Sequence, residues 1–446
     1  MYLKNMSFLV LGMQKSGICA TNFLLSQGAK VFVYDDGISE SVKKNLKEAE
    51  LKGAKLCSEP IFQIEYVDVL VLSPAVPVDH KVAIRAKELN KRIIGEFELA
   101  SNYTTNLVVA VTGTNGKTTT CSLIDYALNK SGYSSTLVGN VGIPFSSKIL
   151  ESKAEDIFVA EVSSFQLETI NRFAPHIACV LNVTPDHLNR HYNMENYVYL
   201  KSKLLINLRE SEFAVLNFDD ELVKQMAQKT RAKVVWFSLK GKVDGAYLED
   251  DFIYYKGEII TSVKDIHIIG SHNVENALAS ICVLKLLGLT NNAILENLKT
   301  FTGVKHRVQK IRTLNGVTYY NDSKSTNADS CKRAVESVKE PTILIMGGFD
   351  KGLNYESLMK DIKQNNLIKK IIFTGQSAKS MYAYAVNAGI EDLSVVKDFS
   401  LAVTLASNMA KSGYSVLLSP ATSSFDEFGS FEERGDKFIE IVENLQ

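Results

Sequence analysis

A glycine loop followed at once by a lysine and a run of threonines is the clearest chemical feature of this sequence. The loop and the residues after it are Gly113, Thr114, Asn115, Gly116, Lys117, Thr118 and Thr119. Its glycines let the backbone turn N–H groups toward phosphate oxygens, and a helix that starts here adds the positive end of its dipole. Lys117 would then neutralise the β- and γ-phosphates, and the Thr118 hydroxyl would hold Mg²⁺. We expect a triphosphate site here; the alternative is a glycine-rich turn with a surface lysine.

This loop departs from the strict phosphate-binding pattern G-x-x-x-x-G-K-[ST], because Val111 stands at its first position. Its context nevertheless supports the site. A buried-type strand, residues 107–111, runs into the loop, and the helix after it places Cys121, Ile124 and Leu128 on one face.

Two further apolar runs end in side chains that bind metals. Glu161 closes the run 157–161, and a strand in the same sheet as the loop strand would bring it beside Thr118 as a second Mg²⁺ ligand. The alternative is a solvated acid at a strand end. His187 follows the run 177–181 and is a candidate metal ligand or substrate contact.

His187 and His191 stand four residues apart, a spacing that on a helix can bind zinc. The zinc protease pattern needs Glu directly after the first His, and this chain has Leu188 there. We therefore expect no zinc.

The N-terminal region carries some of the ingredients of a dinucleotide site. A strand leads into the turn from Gly12 to Gly17, and a second strand ends at Asp35. The turn lacks the Gly-x-Gly that lets a pyrophosphate approach, so NAD is disfavoured. A uridine or another nucleotide group could still use the turn and Asp35.

Near the C-terminus, Lys324 and Lys351 each follow a predicted strand. Two lysines at strand ends suit an anionic ligand. The alternative for either one alone is a solvated surface charge.

Composition and length set the frame for these residues. The chain has 446 residues, 46% of them hydrophobic, and equal numbers of basic and acidic side chains, 50 of each. Such a chain folds, is long enough for about three domains, and has no overall field that favours nucleic acid or an anionic membrane. Six cysteines without paired spacing indicate reduced thiols. The N-terminal apolar run is too short for a secretory signal, so we expect a cytoplasmic protein.

Strand-like runs alternate with helical patterns along the chain, which predicts an α/β fold of three domains. We expect an N-terminal Rossmann-like domain over residues 1–97 and a central P-loop ATPase-like parallel sheet over 98–304. A C-terminal Rossmann-like domain then covers 305–446. The stretch 246–260 alternates as antiparallel hairpins do, so we expect a small antiparallel addition to the central sheet.

Eight motifs, in order, resemble the signature of the Mur ligases. They are GTNGKTTT, EVSSFQLE, NVTPDHLNRH, GSHNVENALA, HRVQ, YNDSKSTN, MGGFDKG and SPATSSFDEFGSFEERG. The resemblance covers essentially the whole chain, and within the family it favours the members that add D-glutamate to UDP-N-acetylmuramoyl-L-alanine in peptidoglycan precursor synthesis. It implies an ATP-dependent ligase that passes through an acyl phosphate and a tetrahedral intermediate. Another Mur-type ligase, a folylpolyglutamate-type ligase and a non-ligase nucleotide switch remain the alternatives.

The resemblance also implies roles for individual residues. The implied catalytic residues are Lys117, Glu161, His187, Lys201 and Lys324. The implied ATP contacts beyond the glycine loop are Asn273, Asn276, Arg307 and Asp322. The implied contacts of the UDP substrate are Ser16, Asp35, Asp36, Ser73 and Asn140. The implied D-glutamate contacts are Asp186, Lys324, Thr326, Lys351, Ser424 and Phe431.

For cofactors, the resemblance implies ATP and two Mg²⁺ ions, with Thr118, Glu161, His187 and Lys201 as the metal-binding residues. Lys201 would act as a carbamate, since it lies four residues after Tyr197 and three before Leu204 as in the family pattern. Lys203 remains the alternative. We expect small-molecule substrates, no nucleic-acid or membrane partner, and a monomer.

Overall fold

Three mainly parallel sheets with helices packed on them make up the computed structural model, which describes residues 3–37, 39–266 and 271–446. This confirms the predicted α/β class. The described chain packs as two compact units. The first contains the chain up to Asp265 together with Val274–Lys299, and it holds the first two sheets. The second contains Thr300–Gln446 and the described part of Ile266–Asn273, and it holds the third sheet. The domain limits at 97/98 and 304/305 stay predictions.

The first sheet has five parallel strands in the order β3-β2-β1-β4-β5. Its strands are β1 (Ser7–Leu11), β2 (Lys30–Tyr34), β3 (Lys55–Leu56), β4 (Val69–Leu72) and β5 (Arg92–Gly95). Its helices are α1 (Lys15–Ser26), α2 (Glu40–Leu51), α3 (Pro60–Gln63), α4 (Lys81–Glu88) and α5 (Glu96–Ser101). Leu11 is in register with both Tyr34 and Leu72, so the loops after β1, β2 and β4 meet at one edge.

The second sheet has nine strands in the order β14-β13-β12-β11-β10-β9-β6-β8-β7. Its strands are β6 (Leu107–Thr112), β7 (Ser135–Gly139), β8 (Ile157–Glu161), β9 (Ile177–Val180), β10 (Phe213–Asn217), β11 (Lys233–Ser238), β12 (Gly245–Glu249), β13 (Phe252–Tyr255) and β14 (Glu258–Ser262). Its helices are α6 (Lys117–Lys130), α7 (Ser164–Glu168), α8 (Leu188–His191), α9 (Met194–Ile206), α10 (Glu221–Met226), α11 (Ser271–Leu286) and α12 (Asn291–Thr300). Strands β6 to β12 pair in parallel, whereas β13 and β14 are antiparallel, which confirms the predicted antiparallel addition.

The register of the second sheet gathers the predicted site residues. Val111 pairs with Glu161 and Glu161 with Gly139, while Thr112 pairs with Val180. The loops after β6, β7, β8 and β9 therefore open at the same carboxyl edge, where ligands collect in parallel sheets.

The third sheet has six strands in the order β15-β16-β20-β17-β18-β19, with β15 antiparallel to β16 and the others parallel. Its strands are β15 (Gln309–Leu314), β16 (Val317–Asn321), β17 (Thr342–Gly347), β18 (Ile368–Thr374), β19 (Leu393–Val395) and β20 (Ser415–Leu418). Its helices are α13 (Ala328–Ser337), α14 (Glu356–Gln364), α15 (Ala378–Asn387), α16 (Phe399–Met409) and α17 (Phe431–Asn444). None of the helices within the described ranges is long and apolar enough to cross a membrane.

Candidate functional site

The glycine loop between β6 and α6 is held by the chain that follows β9. The Thr114 N–H donates to Asn182 O at 2.9 Å, and the Asn115 N–H donates to Asn182 Oδ1 at 2.9 Å. The Thr114 hydroxyl donates to Thr184 O at 3.1 Å and lies 3.2 Å from the Tyr197 hydroxyl. These bonds tie the loop to the chain after β9 and to α9.

Glycine is required at the last position of this loop. Gly116 has φ of +83°, and a Cβ there would lie 2.1 Å from Asn276 Oδ1. The same Asn276 oxygen accepts a hydrogen bond from the Thr120 hydroxyl at 3.4 Å. Asn276 is buried in α11, one turn after Asn273, which is also buried. Asn276, one of these two predicted ATP contacts, therefore lines the loop directly.

Lys117 folds back over the loop. Its Nζ donates to Gly113 O at 2.8 Å and to Thr114 O at 2.9 Å. Thr118 and Thr119 are buried in the first turn of α6. The cation therefore lies across the loop on which a phosphate is predicted.

Glu161, at the end of β8, is the buried carboxylate of this edge. Asn140 donates from Nδ2 to Glu161 Oε1 at 2.7 Å, and its N–H donates to Glu161 O at 2.9 Å. Glu161 Oε2 is buried, and no donor among the described residues bonds to it. A buried carboxylate oxygen without a donor is a feature that a cation would satisfy.

The two histidines after β9 have different surroundings. His187 has φ of +52° and a side chain that is 48% exposed, with Nε2 3.4 Å from Asp186 Oδ2. His191 is only 1% exposed and has Nε2 2.9 Å from Ser164 Oγ. Burial, followed by the charge of His187, lowers the pKa of His191 to about 4. His187 thus faces solvent at the edge, while His191 packs inside.

The two lysines of α9 also have different surroundings. Lys201 is buried, with Nζ 4.6 Å from the centre of the Tyr197 ring. Burial lowers the pKa of Lys201 well below its ordinary value, Lys117 lowers it further, and Asp186 opposes the shift. Burial also lowers the pKa of Lys203, but its Nζ donates to Glu168 O at 3.0 Å. Lys201 therefore responds to residues of the predicted site, and Lys203 braces a neighbouring helix.

The predicted UDP contacts of the first sheet lie together at its carboxyl edge. The Asp35 carboxylate accepts from Met13 N–H at 2.5 Å and from Gly37 N–H at 2.6 Å. Ser73 donates from Oγ to Gly12 O at 2.6 Å. These two side chains shape the turn. Ser16 lies in the first turn of α1, and Asp36 Oδ2 lies 2.9 Å from His80 Nε2.

In the second unit, Asp322 follows β16 and is buried. It accepts hydrogen bonds from the hydroxyls of Ser325 and Ser419 and from the Val308 N–H. Burial raises the pKa of Asp322 to about 6, with opposing effects from these hydroxyls and from Arg307. The assignments of Asp322 and Arg307 to ATP stay predictions.

The predicted D-glutamate residues of the second unit form two contacts. Lys324 Nζ lies 5.6 Å from the centre of the Phe431 ring, and Lys351 Nζ donates to Thr326 O at 3.2 Å. The Ser424 hydroxyl is buried and has no hydrogen-bond partner within the described chain. Two basic groups and a hydroxyl without a described partner thus follow the neighbouring strands β16, β17 and β20, and an amino acid with carboxylates would require such groups.

Two arginines hold these loops, Arg190 partly buried and Arg434 fully buried, and the sequence did not single out either. In the first unit, Arg190 bonds the carbonyls of residues 74–76 and the Glu168 carboxylate. In the second unit, Arg434 donates from Nε to Ser323 Oγ at 3.0 Å, and its Nη atoms donate to the carbonyls of Ser323, Thr422 and Ser423. Both lie inside the motifs NVTPDHLNRH and SPATSSFDEFGSFEERG, whose arginines were the available signal.

Known proteins match this chain along its whole length. A model of the Mur ligase middle domain matches residues 111–284, and a model of the Mur ligase glutamate ligase domain matches residues 306–422. The chain is 40% identical over 462 residues to a UDP-N-acetylmuramoylalanine--D-glutamate ligase of Thermoanaerobacter sp. strain X514, with 100% of both chains covered. This chain belongs to the Mur ligase family. A ligase of the same name from Clostridioides difficile strain 630 is 39% identical over 457 residues, again with 100% of both covered.

Solved Mur ligases share the fold. The UDP-N-acetylmuramate-alanine ligase MurC of Thermotoga maritima has a TM-score of 0.63 at 18% identity, covering 98% of this chain and 99% of its own. MurF of Acinetobacter baumannii has a TM-score of 0.62 at 15% identity, covering 97% and 93%. As a Mur ligase, the chain is an ATP-dependent enzyme that forms amide bonds between small molecules, with ATP and Mg²⁺ as the general requirements of the family.

The residues present fit both requirements. Backbone turned by Gly113 and Gly116 suits phosphate, and the bare Glu161 oxygen suits a hard cation that prefers oxygen ligands. Among the residues that the structure describes, no three His, Cys, Asp or Glu side chains cluster as a metal site. Mg²⁺ at such a site takes few protein ligands and completes its shell with phosphate oxygens and water.

Proposed function

We propose that this Mur ligase adds D-glutamate to UDP-N-acetylmuramoyl-L-alanine in peptidoglycan precursor synthesis, with release of ADP and phosphate. The observation that carries the proposal is the identity of about 40% with ligases of that name over the full chain. This identity therefore extends over the regions that contain the proposed contacts of both UDP-N-acetylmuramoyl-L-alanine and D-glutamate. A cytoplasmic location and a monomeric state are part of the proposal.

The glycine loop and Lys117 hold the triphosphate with its γ-phosphorus exposed to the substrate carboxylate. A carboxylate oxygen of the L-alanine unit attacks that phosphorus, and the bond to the ADP oxygen breaks, which leaves an acyl phosphate. The triphosphate and carboxylate are both anions, so their approach depends on positive charge at the loop. Lys117 supplies one such charge across Gly113 and Thr114.

The D-glutamate amine then attacks the acyl carbon. A tetrahedral intermediate forms, the carbon–oxygen bond to phosphate breaks, and the ammonium proton is released to solvent. Lys324, Lys351, Thr326, Ser424 and Phe431 are the proposed amino-acid contacts. The two lysines match the two carboxylates of D-glutamate, and the bare Ser424 hydroxyl can donate to one of them. Asp186, in the first unit, is the remaining proposed contact.

When bound, two Mg²⁺ ions would neutralise the transferred phosphoryl group and the acceptor carboxylate. Thr118 and Glu161 are the proposed residues for one ion, and His187 with Lys201 for the other. Carbamylation of Lys201 would convert a buried cation into an anion. Its lowered pKa favours the neutral amine that reacts with carbon dioxide, and its burial makes a bare cation costly.

Ser16, Asp35, Asp36, Ser73 and Asn140 are the proposed contacts of the UDP substrate. Asn140 bonds Glu161 directly, so it connects this substrate region with the proposed metal ligand. Asn273, Asn276, Arg307 and Asp322 remain the proposed contacts of the nucleotide.

The test is product formation by the purified chain with Mg-ATP and UDP-N-acetylmuramoyl-L-alanine. D-Glutamate, L-glutamate, meso-diaminopimelate and no amino acid are compared, with mass spectrometry of the product and phosphate release as readouts. We expect turnover with D-glutamate only. Equal turnover with L-glutamate, or preference for another amino acid, would contradict the proposal. ATP hydrolysis without an amide product would instead support a nucleotide switch.

A further inference from the structure

Arg190 uses every nitrogen of its guanidinium group. Its Nε donates to Glu168 Oε1 at 3.0 Å and its Nη2 to Glu168 Oε2 at 2.6 Å, so the pair is bidentate. Its Nη1 donates to Ala75 O at 3.2 Å. The two N–H groups of Nη2 are shared among Glu168, Pro74 O at 3.2 Å and Val76 O at 3.0 Å. The arginine side chain is 15% exposed and that of Glu168 is 6% exposed.

The carbonyls of three successive residues of one loop accept hydrogen bonds from this single side chain. The loop 74–76 follows β4 and the predicted substrate contact Ser73, whose hydroxyl bonds Gly12 O. In a loop, the carbonyl oxygens of three consecutive residues can converge on one donor only when the backbone curls around it. Arg190 supplies that donor, because its planar fork carries five N–H groups in fixed directions.

The other side of Arg190 faces the predicted catalytic edge. Its guanidinium carbon lies 4.8 Å from the centre of the Phe165 ring, and that ring lies 4.9 Å from the His187 ring. Glu168 belongs to α7, which begins three residues after Glu161. One side chain thus joins the loop after β4 of the first sheet to the helices that follow the predicted metal ligands of the second sheet.

We infer that Arg190 is a positioning residue that holds the loop 74–76, and with it Ser73, in the geometry that binds the UDP-linked substrate. This inference rests on the proposed function, since it needs Ser73 to contact that substrate. Arg190 acts through the loop and contacts no reacting atom. Lysine cannot replace it, because a single ammonium group cannot bond the Glu168 carboxylate and three carbonyls together.

A nearby bond offers a matched control. The Tyr192 hydroxyl donates to Asp79 Oδ2 at 2.6 Å and so joins the same two chain segments. Tyr192 is 70% exposed, and its bond is far less costly to lose because water can replace it. The variant Tyr192→Phe therefore removes a link between these segments without touching the loop carbonyls.

The experiment compares the wild type with Arg190→Lys and Tyr192→Phe in steady-state kinetics with all three substrates. We expect Arg190→Lys to raise the KM for UDP-N-acetylmuramoyl-L-alanine about tenfold or more, since hydrogen bonds to a charged group are lost. The KM values for ATP and D-glutamate should stay within about twofold, and kcat should fall less than that KM rises. Tyr192→Phe should match the wild type.

Two further measurements separate positioning from simple support of the fold. Amides of residues 75, 76 and 78 should exchange hydrogen faster in Arg190→Lys, whereas those of β6 and β8 should not. A double-mutant cycle with Ser73→Ala should give a combined KM effect smaller than the product of the single effects, because both act through one loop.

The outcomes distinguish this inference from the proposed function. A wild type that forms no product with D-glutamate overturns both. An active wild type with an unchanged substrate KM in Arg190→Lys overturns the inference alone. Equal losses for all three substrates, or effects of Arg190→Lys and Ser73→Ala that simply multiply, would also overturn it.

Discussion

The two units differ in the hydrogen bonding of the buried carboxylate that lies at the end of a strand. At the end of β8, Glu161 has one oxygen bonded by Asn140 and one that no described donor reaches. After β16, Asp322 accepts from two hydroxyls and a backbone N–H. Glu161 therefore keeps an oxygen that can bind a cation, whereas both oxygens of Asp322 already accept hydrogen bonds within the protein. A buried acid in a ligand-collecting position is therefore not evidence of a metal site until its hydrogen bonds are known.

The basic groups differ between the units as well. In the first unit, Lys201 is fully buried near Lys117 and Asp186, which makes its charge costly. In the second unit, Lys324 and Lys351 reach an aromatic ring and a carbonyl at strand ends. This contrast fits a lysine that is modified in one unit and lysines that bind an anion in the other.

The largest expected effect concerns Lys201. We expect Lys201→Ala and the bulkier Lys201→Met to reduce kcat by about 10³-fold or more, because loss of one preorganised charge at a phosphoryl site is that costly. Binding of ATP should be largely kept. The readouts are product formation, nucleotide binding by calorimetry, and the carbamate signal in carbon NMR with labelled bicarbonate.

Lys203→Ala is the matched control for this experiment. Lys203 is on the same helix and donates to a backbone carbonyl, so its loss should cost less than about tenfold in activity. A fully active Lys201→Met would remove Lys201 from the site. If Lys203→Ala were inactive in the same experiment, the proposed carbamate would be assigned to Lys203 instead.

Glu161→Gln tests the bare oxygen directly. The change keeps the size of the side chain but replaces a carboxylate by an amide. We expect kcat to fall about 10²-fold and the Mg²⁺ concentration for half-maximal activity to rise by about tenfold or more, since a metal ligand is weakened. A titration of activity with Mg²⁺ measures both. An unchanged Mg²⁺ requirement would contradict the proposal that Glu161, unlike Asp322, binds a metal ion.

Asp322→Asn should change how the free energy of unfolding depends on pH. With its pKa raised to about 6 in the fold, Asp322 keeps a proton that the unfolded chain releases near pH 4. Its contribution to the free energy of unfolding is therefore complete below about pH 4 and is lost as the pH rises to about 6. The total change is about 3 kcal/mol at most.

Urea unfolding of the wild type and Asp322→Asn, followed by circular dichroism from about pH 4 to about pH 7, measures this contribution. The variant cannot titrate at this position, so its stability relative to the wild type should improve across that range. Parallel curves for the two proteins would contradict the raised pKa.

The smallest expected effect is that of Ser424→Ala. The hydroxyl has no described partner, so its removal should change the free energy of unfolding by less than about 1 kcal/mol. The KM for D-glutamate should nevertheless rise about fivefold, since a hydrogen bond to a substrate carboxylate is lost. Ser423→Ala is the control, because its hydroxyl is also buried without a described partner and has no proposed substrate contact. Equal KM values for the two variants would remove Ser424 from the amino-acid site.

The fold was largely predictable where strands are short, apolar and followed by glycine or polar loops. The runs 107–111, 157–161 and 177–181 predicted strands, and the structure has β6, β8 and β9 at these places. Strand β7, with the sequence STLVG, and strands β10 and β11 were not singled out. β7 is only partly apolar. The runs of β10 and β11 lie between helices without a recognisable chemical motif, so nothing local drew attention to them.

What the sequence determined by itself is the set of chemical groups and the local backbone that carries them. Glycine at 116 and the lysine and threonines after it define a phosphate loop, because these depend on residue type and on adjacent positions. Glu161 and His187 could be named as candidates on the same basis, and Lys201 only through the resemblance to the family pattern. Their partners could not.

Only the tertiary structure decided which groups are satisfied. Glu161 Oε2 has no described hydrogen-bond donor. Lys201 is buried, whereas Lys203 donates to a backbone carbonyl. Arg190 bonds carbonyls more than a hundred residues earlier in the chain. Each of these depends on strand register and on packing between distant segments. A hydrogen bond requires atoms within about 3 Å, and that precision is set by the assembled sheets rather than by any local run of residues.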